Sequence, residues 1–298
     1  MRLVTYNIQY SLGRDGHYDL ARIVEAVKDA DIIALQEVER YCQRSGDQDQ
    51  PAEIAALLPE HYWIYGPPVD LDASYRDGEG RLINRRRQFG NMLLSRWPIC
   101  SSRLYLLPKH GTTNKFNPQY GALEGVVNCP GGPLRIYSLH LGYLSDEERQ
   151  EQVAVLWQWL RHAPDGGGVW SGFEEKKREH WGLGDGEPPM PREMILLGDF
   201  NAPPGSGAYE ALVGPKEPYY GRLNARHRLV DSWVAAGHDE AHGVTCPAQP
   251  DARGHPDLRV DLGLVSWELA GRVKRAWIDE KADGSDHQPY WFELDWGS

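Results

Sequence analysis

The sequence predicts an α/β fold in which β-sheets pack against each other and helices cover the outside. Two observations carry this. Short runs rich in Val, Ile, Leu and Tyr recur along the whole chain and end at Gly, Pro, Asn or Asp, as strands do. Helical periodicity interrupts them, first as strand, helix, strand and later between groups of consecutive strands, which argues against a purely parallel sheet.

The expected strands are residues 2–7, 31–36, 62–65, 91–95, 122–128, 134–140, 194–199, 259–265, 272–278 and 290–294. A helix is expected where Leu20, Ile23, Val24 and Val27 fall at i, i+3, i+4 and i+7, with Asp19 at the N-cap position. A second should start at Ser145, which has capping-box spacing to Glu148, with Val153, Leu156, Trp157 and Leu160 as its apolar stripe. Shorter helices are expected at 52–58, 206–212 and 230–236. Residues 66–88 and 163–192 read as long loops, the second an insertion rich in Gly, Pro and Trp. The insertion precedes the strand ending at Asp199 and is expected at the opposite end from that residue, with Trp170, Phe173 and Trp181 packing down a cover or forming a partner surface. No repeat or low-complexity linker divides the chain, so residues 1–298 are expected to form a single catalytic domain.

Hydrophobic residues make up 41% of the chain and charged residues 25%, a globular composition, and no apolar run approaches the roughly 20 residues that span a bilayer. Cys42, Cys100, Cys129 and Cys246 are scattered without a C-x-x-C pair and read as reduced thiols. With no apolar leader ahead of the first strand, the expected location is the cytoplasm. The net charge of −11 disfavours broad attraction to nucleic acid or anionic membrane, and it leaves room for a local phosphate site. Oligomeric state is not legible.

The chemistry gathers at strand ends. Predicted strands empty into Asn7, Glu37, Asp199 with Asn201, and Asp261, and Asp286-His287 precede the last one. Magnesium takes hard oxygen ligands and few protein carboxylates, leaving positions for water and substrate phosphate. Each residue alone has an ordinary explanation. An Asp after a strand is more often a turn or cap, and a lone His at a strand end more often makes a structural hydrogen bond. A Glu after an apolar run, however, is costly without a partner, and the one-residue spacing of Asp199 and Asn201 puts both at one strand end.

Order along the chain is more specific than any single group. Asn7-Ile8-Gln9, Leu35-Gln36-Glu37-Val38, Gly90-Asn91-Met92-Leu93-Leu94-Ser95, Ser138-Leu139-His140, Gly198-Asp199-Phe200-Asn201, Arg259-Val260-Asp261 and Ser285-Asp286-His287 follow one another. This set resembles the endonuclease/exonuclease/phosphatase superfamily over almost the whole chain, and its small bacterial members in particular. The resemblance implies a four-layered α/β sandwich with two facing mixed sheets flanked by helices. It also implies Glu37 as principal Mg2+ ligand, with Asn7 and Asp286 completing the shell and Mn2+ as a substitute ion. Asp199 then orients or deprotonates the attacking water, and Asn201 donates to a phosphate oxygen. His287 contacts the scissile phosphate or acts as base, with Asp261 fixing its tautomer. His140 donates to a phosphate oxygen or the leaving group. Which of Asp199 and His287 takes the proton stays open.

The substrate is less legible. His140 stands where abasic-site nucleases of the exonuclease III type have a tyrosine, and Gln36-Glu37-Val38-Glu39 replaces their Gln-Glu-Thr-Lys. The Trp-Cys-Asp-Arg box of inositol polyphosphate 5-phosphatases is missing. Tyr120 precedes Gly121-Ala122-Leu123 where many relatives have an arginine, and Arg86, within the Arg85–Arg87 cluster, is the candidate replacement. The favoured reading is a phosphodiesterase or phosphatase for a small or lipid-derived phosphoester. A nuclease and a non-catalytic binding module on this scaffold are the alternatives.

Overall fold

Alternation along the strands sets the layers. In a computed structural model, which describes residues 1–172, 174–181, 186–248 and 256–297, the strands in chain order are β1 (Arg2–Asn7), β2 (Ile32–Arg40), β3 (Tyr62–Asp72), β4 (Tyr75–Arg76), β5 (Leu82–Ile83), β6 (Arg86–Ser95), β7 (Ile99–Leu106) and β8 (Gly121–Cys129). They continue as β9 (Gly132–His140), β10 (Met194–Asp199), β11 (Lys216–Glu217), β12 (Gly221–Arg222), β13 (Leu229–Asp231), β14 (Asp261–Ser266), β15 (Val273–Ile278) and β16 (Tyr290–Leu294). The helices are α1 (Leu20–Val27), α2 (Gln50–Leu57), α3 (Asp146–Gly166), α4 (Glu175–Trp181), α5 (Gly207–Val213), α6 (Ser232–Ala235) and α7 (Trp267–Ala270).

Two six-stranded sheets result, ordered β15-β16-β1-β2-β6-β3 and β13-β14-β10-β9-β8-β7. Each has one parallel pair at its centre, β1 with β2 and β9 with β10, and antiparallel neighbours outside. Leu3, Ile32, Ala34 and Leu93 of the first sheet meet Leu134, Ile136, Ile195 and Leu197 of the second in one cluster. The intervening residues point outward: Val4, Ile33 and Leu35 onto Ile23 and Val24 of α1 and Ile54 of α2, and Leu139, Leu196 and Leu262 onto α3 and α5. Four layers follow, as expected. Each such buried side chain contributes roughly 1.5–3 kcal/mol.

Toward the C-terminal ends of the parallel strands this inner face turns polar. Thr5 donates to Gln36 (3.1 Å), Gln36 to Ser138 Oγ (3.0 Å), and Asn91 to the carbonyls of Gly121 and Ser138. A layer of satisfied hydrogen bonds thus separates the apolar core from the site above it.

Several expectations change. Residues 66–88 are largely a ribbon, because β3 and β6 stay paired to Asp72 and Arg86 past a bulge at Pro67-Pro68. β7 and β13 are additional strands. Ser145 caps α3 through the Glu148 amide (3.1 Å), yet the capping box does not close. The Glu148 carboxylate binds the His110 amide (2.6 Å) and Asn117 (2.8 Å) and holds down the segment after β7. Within 163–192, α3 runs on to Gly166 and α4 forms; Trp181 is 73% exposed, and Phe173 lies outside the described residues.

Candidate functional site

The ends of all four central strands converge. Asn7 ends β1, His140 ends β9 and Asp199 ends β10, each on the inner face. The carboxyl ends of parallel strands, with their carbonyl ladders complete, are where α/β sheets build sites. Simple alternation would turn Glu37 away from Gln36, but the pairing of β2 with β6 slips between Leu35 and Val38 and Glu37 adopts φ 59°. The bulge re-aims its side chain, so that Asn7 Nδ2 donates to Glu37 Oε1 at 3.2 Å. Asn201, two residues past β10, also takes a left-handed φ of 48°, and its amide donates to Asp199 Oδ1 (2.9 Å). Gly198 is required beside them: a Cβ there would collide with the Leu139 carbonyl across the β9–β10 pair.

One atom is shared by the whole floor. Asp199 Oδ2 lies 3.0 Å from Asn7 Nδ2, 3.5 Å from His140 Nε2 and 3.8 Å from His287 Nε2. Asp261, fully buried at the start of β14, sits 2.7 Å from His287 Nδ1 and takes its proton-bearing side, which turns Nε2 toward Asp199. Thr245 accepts from the Val260 and Asp261 amides and fixes that turn. Ser285 Oγ donates to the Asn7 carbonyl (2.7 Å) and ties the Asp286-His287 segment to β1. Asn201 Nδ2 donates to the Leu141 carbonyl (2.9 Å) and lies 3.3 Å from His140 Nε2.

The charges are crowded. Burial, and then the charge of Asp286, pushes the Glu37 carboxyl up to about 7. Burial raises Asp261 to about 6 against the pull of His287. Burial works to lower His287, but Asp261 and Asp199 outweigh it and raise the ring well above its usual value. His140, with less carboxylate around it, is lowered by burial. Glu37 and Asp286 together offer hard carboxylate oxygens whose mutual repulsion a divalent ion relieves, so the donor set fits a hard divalent cation. Asn7 meets them as a donor, since its Oδ1 accepts from the Gln9 amide (3.0 Å), and Gln9 Nε2 donates to Asp286 (2.9 Å). Ligand atoms of Asp199, Asp261 and His287 also lie within 4.8 Å of one another, although His287 Nδ1 and Asp261 Oδ2 are already paired.

Asn7, Glu37, His140, Asp199, Asn201, Asp286 and His287 form the floor of a cleft of about 1020 Å³, with Asp261 behind His287. Val69, Leu71 and Phe89 of the ribbon line one wall, and Phe116, Tyr120 and Tyr143 the other. Tyr120 stands edge-on to His140, ring centres 4.8 Å apart. Arg86 is not at the cleft. It pairs with Asp70 (2.9 Å), while Arg87, two residues from Phe89 and four from Asn91 on the same strand face, lines the cleft. Arg85 pairs with Asp47. Arg44 and Arg149 are the other cleft arginines that the sequence reading missed. Arg149 had a signal: only four residues separate His140 from the cap Ser145, so the first turn of α3 has to stay beside the cleft. Among the described residues none of 163–192 lines it, as the strand order predicts.

Residues 4–287 match the model of the Endonuclease/Exonuclease/phosphatase family. No curated protein sequence matches the chain. Among solved structures, an endonuclease/exonuclease/phosphatase from Beutenbergia cavernae is 22% identical with a TM-score of 0.63, over 100% of this chain and 72% of that one. A mannosyl-6-phosphatase from Bacteroides thetaiotaomicron is 18% identical (TM-score 0.59; 99% and 100% covered). A 3'-5' exonuclease from Neisseria meningitidis is also 18% identical (TM-score 0.55; 99% and 100% covered). At these identities the likeness establishes the fold.

Proposed function

Because the chain belongs to the endonuclease/exonuclease/phosphatase family, we propose that it is a magnesium-dependent hydrolase of small or lipid-derived phosphoesters, acting as a single catalytic unit. The carrying observation is the placing of one carboxylate oxygen, Asp199 Oδ2, within 3.8 Å of both His140 and His287 and 3.0 Å from Asn7.

Asp199 accepts the proton of the water that attacks the phosphorus in line. His287 has a carboxylate on each nitrogen, which keeps the ring charged and makes it a phosphate contact rather than the base. Asp261 orients it. His140 faces the leaving oxygen, and the second N–H of Asn201, which points at His140 Nε2 (3.3 Å), meets a phosphate oxygen by exchanging that long contact for it. Glu37 and Asp286 would hold the divalent ion, with Asn7 entering its shell only if its amide turns; the ion supplies neutralisation of phosphate and leaving-group charge. Mn2+ fits the same oxygen donors.

The apolar side chains on both walls favour a leaving group with apolar surface over a bare polyanion. The similar mannosyl-6-phosphatase is consistent with a small substrate. Arg44 stacked 3.8 Å over Tyr10, with Arg87 and Phe89 nearby, supports a nuclease as the second reading. Free thiols at all four cysteines support the cytoplasm as its location.

The deciding experiment is a panel with Mg2+: p-nitrophenyl phosphate, bis-p-nitrophenyl phosphate, nicked and abasic DNA, RNA and a sphingomyelin-type lipid. Turnover of small or lipid esters is expected. Fast cleavage of nucleic acid alone would replace the first reading with the second. Metal binding without turnover of anything would leave a binding module.

A further inference from the structure

The first turn of α3 brings a cation to the cleft wall that the catalytic roles above do not use. The Arg149 side chain is 11% exposed and lines the cleft together with His140, Asp199 and Asn201. Nη1 donates to the Gly142 carbonyl at 3.0 Å, just past His140. The buried Nε has no hydrogen-bond partner among the described residues.

Its counter-charge is weak. Among the described residues the one carboxylate in pairing range is Asp146, 3.9 Å from Nη2. That carboxylate already accepts from the Gly207 and Ala208 amides at the start of α5 and from Gln150. Burial pulls the guanidinium below its usual range, and the charges of Asp146, Asp199 and Glu148 only partly offset this. A mostly buried cation with an unused donor and an engaged counter-ion is unfavourable until an anion joins it.

We infer that Arg149 binds a nonbridging oxygen of the scissile phosphate and tilts the site toward phosphomonoesters. This rests on the phosphoesterase reading above. A monoester presents one more unsubstituted oxygen than a diester and close to one more negative charge at neutral pH. The two nonbridging oxygens of a diester are met by His287, Asn201 and the ion. A further fixed cation, shielded from water, acts mainly on the additional charge. Anchored through Nη1, the planar guanidinium holds its other N–H groups in a set direction, which a flexible ammonium does not.

The test uses the full chain with Mg2+, as wild type, Arg149→Gln and Arg149→Lys. Rates on p-nitrophenyl phosphate and bis-p-nitrophenyl phosphate are measured, and inorganic phosphate is titrated by calorimetry. Wild type should favour the monoester in kcat/KM. Arg149→Gln should raise the monoester KM and the phosphate Kd about tenfold, a loss of one fixed charge contact, with a smaller loss on the diester and little change in kcat. Arg149→Lys should recover part of the phosphate affinity. Equal losses on both esters, a loss confined to kcat, or unchanged phosphate affinity would overturn the inference, and so would a wild type that prefers the diester. If Arg149→Gln does not fold, the same comparisons on Arg149→Lys decide. A wild type that turns over neither ester, nor the lipid and nucleic acids of the panel above, removes the phosphoesterase reading, and the phosphate titration then judges Arg149 separately.

Discussion

At the floor of the cleft, Asn7, His140 and Asp199 leave the ends of buried strands, and their partners come from other strands of both sheets. At the rim, Arg44 hangs from a turn, Arg87 from a ribbon and Arg149 from a first helical turn. Each is held by one main anchor: Glu39, the Tyr41 carbonyl and the Gly142 carbonyl respectively. The floor is over-determined and the rim is tethered. The proposed function assigns chemistry that needs sub-ångström placement to the floor, where two sheets fix it, and substrate preference to the rim, where a single contact can change without disturbing the sheets.

Perturbing each region tests that contrast, starting with the largest expected effect. Removing divalent ions with a chelator should cost several kcal/mol of transition-state stabilisation, about 10³-fold or more in rate, and Mg2+ should restore it. A chelated enzyme at full speed would contradict the role given to Glu37 and Asp286. Asp199→Asn should lower kcat about 10³- to 10⁴-fold with an unchanged melting temperature, since the isostere keeps the packing and loses the base. Asp261→Asn should lower kcat about 10²-fold, the scale of losing an orienting partner; an unaffected rate would mean that His287 needs no orientation. At the rim, Arg87→Ala should raise KM only about fivefold, the size of a solvent-screened charge contact. A loss as large as that of Asp199→Asn would erase the distinction between floor and rim. Trp181→Ser, at an exposed position that does not line the cleft, should change stability by less than about 0.5 kcal/mol and leave turnover alone.

The same contrast explains what could be read from the sequence. Strands buried on both faces, such as Met194–Asp199, announce themselves as apolar runs and match the expected bounds. Their terminal residues are fixed in space by the strand, so Asp199, His140 and Asn7 were legible as a group. β7 was not, because Ser101, Ser102 and Arg103 break its apolar pattern at a sheet edge where one face meets solvent. The outer ribbon carries no alternation to read, and Pro67-Pro68 resembles a loop while sitting at a bulge. Composition alone does not separate Arg86 from Arg87; counting by twos from the buried Asn91 selects Arg87. The positive φ of Glu37 is invisible in composition, since only the slipped register of β2 reveals it.

The first and last strands, β1 and β16, lie side by side, and Ser285 closes the join at Asn7. On a ribosome this means that Asn7 and Glu37 emerge before Asp286 and His287 and wait while the 249 residues from Glu37 to Asp286 (286 − 37) are made. At roughly 5–20 residues per second that interval is on the order of tens of seconds. A nascent chain that has not yet reached Asp286 thus lacks both one edge of the first sheet, β15-β16 against β1, and the part of the floor that the segment before β16 brings to Asn7 and Glu37.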